Sequence, residues 1–498
     1  MNRLTLAVAA LTGVLAAPPL PASEQDIAAL REELAQLKST YEQRIAALEQ
    51  RLMAAETAAH AAHARADQSA PAAATAPGQA AKPAASVVAA PAPAPASPAS
   101  PAPTRAAARG NAFNPEIGLV LQGQYTHAKE VAERSITGYW AAGHDHGDRR
   151  GASLEHSELI LSASIDPRFR GVARLAVTPD DEVEVEEASI STVGLGHGVS
   201  LRAGRFLSDI GYSNAQHGHE WDFADASLMQ QVLFGEEGYR HDALQVKWVA
   251  PLDFMLMLGA EAGRGENFPG SDRNTNGLDS LAFYTRLGGD LGASHSWQAG
   301  LSFLRTRASG RDGHFEDADP LGPNEVEGLF TGRTRTGIVD VVWKWAPEGN
   351  ARERNLKLQA EFFRRTEQGQ LACSSEIASS PCFGEVDLGD LRVRQLGGYA
   401  QAVYQFMPRW RVGFRHDWLD DGSKSFRAPL VFGALEADNT YFARYSPRRE
   451  TLMLDFSYSE FSRLRLQYAH DRAMEGVVDN QWTLQYIMSL GAHGAHRF

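Results

Sequence analysis

Residues 216–225, Gln-His-Gly-His-Glu-Trp-Asp-Phe-Ala-Asp, bring two imidazoles and three carboxylates into one short stretch. Imidazole with carboxylate is the donor set of a borderline divalent ion such as Zn²⁺, with Ni²⁺ and Cu²⁺ as competitors. His217 and His219 can both reach one ion from an irregular backbone, and Glu220, Asp222 and Asp225 supply oxygens. His241 follows at the end of the same segment. A second group, His127, His144, Asp145, His146 and Asp148, lies upstream, followed by His156 and Glu158. A lone His-x-His is more often plain polar surface than a metal site; two such groups near one mouth bring the two readings close to balance. An ion that must also leave is better served by several weak sites than by one tight one. His493 and His496 either pass ions onward or simply finish the last strand.

A second constellation alternates charge with apolar residues. Arg170 and Arg174 are interleaved with Gly171, Ala173 and Leu175, and Arg202 lies between Leu201 and Ala203. Between these runs, Glu182, Glu184 and Glu186 alternate with Val183 and Val185. Such a pattern places Arg and Glu on one face of neighbouring strands, where they pair across the ladder. The pairs either brace a wall or form a charged eyelet that sorts permeants.

The elements that must carry these side chains are strands. Ile117, Leu119, Leu121, Gly123 and Tyr125 share one face of the first, and Gly118, Val120, Gln122 and Gln124 the other. The final segment repeats the pattern: Trp482, Leu484, Tyr486, Met488, Leu490 and Ala492 lead to a terminal Phe498, while Thr483, Gln485 and Ser489 face away. Segments of about ten residues are long enough to cross a bilayer when tilted. Sixteen are expected, starting near 115, 154, 169, 182, 198, 242, 254, 278, 295, 332, 354, 393, 409, 448, 462 and 481. Tight turns such as Asp166-Pro167-Arg168 and Met407-Pro408-Arg409 alternate with outer connections, of which 127–150, 209–241, 264–277, 308–331, 367–391 and 420–447 are long. This is the layout of an all-β transmembrane barrel wide enough for an aqueous lumen. Trp248, Trp297, Trp343, Trp345, Trp410 and Trp418 near strand ends fit aromatic girdles.

Ahead of the barrel (113–498) the chain has three other parts. Residues 1–22 read as a secretory signal peptide. Residues 23–66 read as a short coiled coil, with Ile27, Leu30, Leu34, Leu37 and Tyr41 followed after a phase shift by Ile45, Leu48 and Leu52. Such a helix buries its seam only by self-association, and a homotrimer is expected. Residues 67–112, mostly Ala, Pro and Ser, form an extended spacer. The two cysteines, Cys373 and Cys382, read as a loop disulfide of an oxidising compartment.

Leu201-Arg-Ala-Gly-Arg-Phe206, Gly211-Tyr212, Gln216 to Asp225, Glu184-Val-Glu-Glu-Ala188, Ser459 to Tyr468 and Leu484 to Phe498 carry a family resemblance. They are similar to proteobacterial outer-membrane proteins labelled zinc-regulated, TonB-dependent receptors and, more distantly, to phosphate-selective porins. The resemblance implies a porin-type barrel in the outer membrane, lipid and lipopolysaccharide around it, and expression linked to zinc. TonB dependence does not carry over, because the chain offers no plug-sized domain before the barrel. Phosphate selectivity does not either, since Arg is interleaved with Glu.

The formal charge of -13 mildly favours cations and argues against nucleic acid. No nucleophile stands at a recognisable motif, so an enzyme is not expected. The expectation is a passive or loop-gated channel for small ions, with zinc as transient cargo and no tightly bound cofactor. The alternatives are a general or anion diffusion porin, and a tether to the cell wall. A periplasmic metal carrier and peptidoglycan are the candidate partners of the coiled coil.

Overall fold

The computed structural model describes residues 115–131, 134–140, 150–179, 182–235, 237–316, 319, 324–426 and 441–491. The signal peptide, coiled coil and spacer lie outside these residues, as do His144, Asp145, His146, Asp148, His493 and His496. The strands are β1 (Glu116–His127), β2 (Gly151–Leu154), β3 (Ser157–Ser164), β4 (Phe169–Val177), β5 (Val183–Thr192), β6 (Val199–Leu207), β7 (Arg240–Val249), β8 (Met255–Gly263) and β9 (Ser280–Leu291). They continue with β10 (His295–Glu316), β11 (Glu325–Trp345), β12 (Asn355–Ser375), β13 (Gly384–Met407), β14 (Trp410–Phe426), β15 (Arg448–Ser459), β16 (Ser462–Arg472) and β17 (Asp479–Gly491).

All pairings between named strands are antiparallel, and β17 closes on β1 from Gly118 opposite Gly491 to His127 opposite Trp482. β2 and β3 both pair with β1 and are two halves of one crossing, so the barrel has 16 crossings, as the sequence predicts. Closure leaves no unpaired edge, which a bilayer would penalise. The dyad pattern sorts side chains by face. On β16 and β17, Leu464, Leu466, Trp482, Leu484 and Tyr486 are exposed on the outside, whereas Arg465, Gln467, Gln481, Thr483 and Gln485 are buried inside. An apolar outside around a polar inside is the arrangement of a membrane-spanning barrel.

Two predicted loops prove to be mostly strand. Segments 308–331 and 367–391 lie largely within β10–β11 and β12–β13, hairpins whose strands run 21 to 24 residues. About ten residues suffice to span lipid, so these strands rise past the membrane, where no greasy outer face is required to mark them. Their upper parts enclose an apolar cluster that includes Phe315, Val326, Phe330, Leu371 and Leu391, with Trp140 and Tyr441 from neighbouring connections. Cys373 and Cys382 are joined within it, their Cα atoms 5.4 Å apart.

Candidate metal site and the loop that builds it

The connection from β6 to β7, residues 208–239, folds into the barrel. Its entry is pinned by carboxylates of the wall. Glu261 of β8 accepts from Ser208 Oγ at 2.5 Å and from the Asp209 amide at 3.1 Å. Glu361 of β12 accepts the backbone amides of Tyr212 and Ser213, both at 2.9 Å. Gly211 makes that turn at φ +63°, and a Cβ there would sit 2.6 Å from a Glu361 oxygen, so a side chain would strain the backbone and displace that carboxylate. Asn214 ties the two ends together, donating to the carbonyls of Ser208 and Tyr239 and accepting from the Tyr239 amide.

The later part of the loop forms a short helix, α1 (Leu228–Phe234), whose Ser227 cap accepts from the Gln230 amide. Leu228, Met229, Val232, Leu233 and Phe234 are buried against Tyr139, Ile338, Phe363, Tyr399 and Leu419. Arg365 of β12 donates to the Val232 carbonyl at the helix end at 2.5 Å. An apolar nucleus inside a barrel lumen gives the loop a fixed position, because burying five such side chains contributes about 1.5–3 kcal/mol each.

Between entry and helix, the loop touches two opposite kinds of wall. Asp222 is bound by Lys357 Nζ at 2.9 Å and Arg411 Nη1 at 3.0 Å. Asp225 is bound by Arg415 at 2.9 Å and Arg449 at 2.6 Å, and accepts from Gln467 at 2.7 Å. Burial alone would raise both carboxyls, but these cations outweigh it and hold them below the usual aspartate range. This corrects one expectation. Asp222 and Asp225 are latches to basic residues, with no imidazole beside them, and do not join the histidines as metal ligands.

The histidines meet a different set. His217 Nε2 lies 3.0 Å from Glu187, its Nδ1 3.3 Å from Glu186 and 3.9 Å from Glu158, and His219 Nδ1 is 2.8 Å from Glu158. The two imidazoles stack at 6.0 Å. Arg174 pairs with Glu158, and Arg202 with Glu187 at 2.7 Å. One donor atom each of Glu158, Glu186 and His217 lies within 4.8 Å of the others, and all three residues are buried. Glu186 Oε2 is fully enclosed and makes no hydrogen bond of good geometry. Two carboxylates and an imidazole converging in a buried pocket offer a donor set that a Zn²⁺-type ion fits. Burial opposes a charge on His217, yet Glu158, Glu186 and Glu187 together push it up to about 10. A proton there holds together three carboxylates that an ion would otherwise bridge.

Glu158, Glu186, His156, Arg174 and Arg202, expected to face the lumen, all lie around this cluster, and Glu187, which sequence reading missed, joins them. The β4–β5 register slips between Arg174 and Leu175, so Arg174 faces Glu187 and Leu175 faces Val185. This bulge turns Glu186 and Glu187 inward together, against a plain alternation that would send Glu187 to lipid. The doubled Glu-Glu in an alternating strand was the available signal. Glu184 pairs with Arg240. Arg170 sits at the rim, paired with Glu116 rather than with a glutamate of β5. Glu220 folds back on the His217 amide at 3.4 Å. His241 belongs to a separate buried network with Glu261 at 3.1 Å, and His127 is exposed at the outer end of β1.

Below the loop lies a cavity of about 1050 Å³, bounded at the short-turn end by Pro408, Arg409, Glu460 and Phe461. His217, His219 and Glu220 face it from the loop. Its lining also carries Arg174, Arg202, Lys247, Arg352, Arg409 and Arg463 against Glu187, Glu220 and Glu460.

No protein-family model matches the chain. An uncharacterized protein of Aquifex aeolicus is 31% identical over 414 residues, covering 78% of this chain and 80% of that protein. Among solved structures, OprB of Pseudomonas putida is 13% identical over 76% of this chain and 94% of its own, with a TM-score of 0.45. The outer-membrane channel DcaP of Acinetobacter baumannii is 11% identical over 76% and 97%, at 0.44. An anion-selective porin of Comamonas acidovorans is 12% identical over 76% and 99%, at 0.43. Likeness at that level says nothing of what passes through the barrel. The chain belongs to one family with the Aquifex aeolicus protein.

Proposed function

We propose that the protein is a bacterial outer-membrane channel that lets divalent metal, zinc foremost, pass along the lumen loop. The observation that carries this reading is the buried Glu158–Glu186–His217 group, with an enclosed Glu186 oxygen that makes no hydrogen bond of good geometry, placed where the loop meets the wall. A site of one imidazole and two carboxylates has the donors for zinc and is weaker than an all-nitrogen or thiolate site, as release requires. The channel works passively, as a homotrimer, with its N-terminal segment as a periplasmic coiled coil. The short-turn end and its cavity face the periplasm in that orientation.

A second reading rests on the cavity below, where basic residues outnumber acidic ones. That lining suits a small anion, and a general or anion diffusion porin would have it without using the histidines.

Zinc influx into liposomes holding the purified protein and a trapped zinc dye separates these readings. The expected result is passive influx in wild type that falls at least tenfold in the double variant His217→Ala, His219→Ala. Influx equal in both proteins makes the channel a general one. No zinc influx alongside intact chloride conductance establishes the anion reading instead.

A further inference from the structure

Resting on the metal-channel reading, we infer that the ion's route is a continuous ligand relay along the seam between the loop and β3–β5, with a separate outer binding site at Glu237 and His156. The steps are all short. Glu237 Oε1 lies 3.4 Å from His156 Nε2, and His156 Nδ1 lies 3.7 Å from Glu186 Oε1. The other Glu186 oxygen is 3.3 Å from His217 Nδ1, which is 3.9 Å from Glu158 Oε1. That same oxygen is 2.8 Å from His219 Nδ1, and His219 faces the lower cavity. Imidazole and carboxylate alternate at every step, so an ion moving along the string exchanges one donor while keeping another.

Exposure grades along the string as a route demands. Glu237, His156 and Glu184 are about one-third exposed above, Glu158, Glu186 and His217 are buried at the centre, and His219 opens again below. Charge is consistent with a divalent cargo. Glu158, Glu184, Glu186, Glu187 and Glu237 face Arg174, Arg202 and Arg240. With neutral imidazoles, those eight groups leave an excess of two negative charges, which one divalent ion balances. Arg240 engages Glu184 and the Oε2 oxygen of Glu237, leaving Glu237 Oε1 directed at His156. The enclosed Glu186 Oε2, 3.3 Å from His217 Nδ1 and without a hydrogen bond of good geometry, marks the central station independently of the count of acids.

The variants Glu237→Gln and His156→Asn test the route in the full chain, with zinc ion itself as the probe. Liposome influx, equilibrium zinc binding and potassium conductance are measured on each. The relay predicts that both variants lower zinc influx at least tenfold and lose a weak zinc site, while central binding stays within about twofold and potassium conductance is unchanged. Zinc influx at the wild-type rate in both variants overturns the relay and leaves the metal channel standing. Zinc and potassium falling together also overturns it, by showing a general effect on the pore. Absence of zinc influx in wild type removes the metal channel and the relay together.

Discussion

The loop inside the barrel lies between two walls that hold it in different ways. Toward β14–β16 it is clamped: Arg411, Arg415 and Arg449 reach Asp222 and Asp225, and Arg465 donates to the Trp221 carbonyl at 2.8 Å. Each carboxylate there has at least two cations and no spare oxygen facing the cavity. Toward β3–β5 the bonds are between imidazole and carboxylate, one enclosed oxygen makes no hydrogen bond of good geometry, and a cavity opens beneath. Both walls are rich in charge, yet in one the loop's carboxylates meet Arg and Lys and in the other the wall's carboxylates meet imidazoles. A count of charged residues in a lumen therefore does not identify a site; the partner of each charge does.

The comparison breaks most clearly at the acid–imidazole wall. Glu186→Gln together with Glu158→Gln should weaken zinc binding by about a hundredfold or more, exceeding the roughly 10–100-fold cost of changing groups that only support ligands. Isothermal titration of the folded protein checks it. Next in size is the clamp. Asp222→Asn with Asp225→Asn leaves four cations short of their partners, and breaking a buried pair costs about 3–5 kcal/mol before lumen water softens it. The loop should loosen, raising single-channel conductance several-fold while zinc preference falls. Wild-type conductance in this variant would show that the apolar packing of α1 holds the loop unaided.

Proton competition sharpens the same contrast. A bound ion must displace the proton that three glutamates hold on His217, so zinc affinity should rise with pH, by at most about tenfold per unit, until about pH 10. The clamp responds the other way along the scale. Its aspartates titrate lower in the folded loop than unfolded, so their contribution is complete above about pH 4 and is lost as pH falls through the depressed values. Conductance against pH should thus show a loosening step only in strong acid. Smaller still, Gly211→Ala should cost about 1–3 kcal/mol of thermal stability from its left-handed backbone and the Glu361 oxygen. Replacing both cysteines by serine should expose the β12–β13 tip to protease without changing zinc influx, because the pair stands apart from the relay.

The barrel was readable because a strand in lipid must alternate, and β1, β16 and β17 do so residue by residue. The starts of β11 and β13 were misplaced by seven and nine residues, since strands above the membrane have no lipid to enforce a greasy face. Residue type singled out His217 and His219 as metal candidates, and parity put Glu158 and Glu186 on the lumen face without joining them to the histidines. Asp222 and Asp225 were not, because their partners lie some 130 to 220 residues downstream and nothing local announces them. Glu187 escaped for a third reason: a bulge breaks the parity rule by which the others were found.

That bulge also makes the site heritable in an unusual way. Removing one residue of the Glu186–Glu187 pair would return β5 to simple alternation without moving the greasy residues on either side to the wrong face. A one-codon deletion could then remove the second inward glutamate, the one beside Arg202 and His217, while leaving a sound barrel. Among relatives, a gap in that column, rather than any substitution, would be the mark of a lumen wall with a single glutamate at this point.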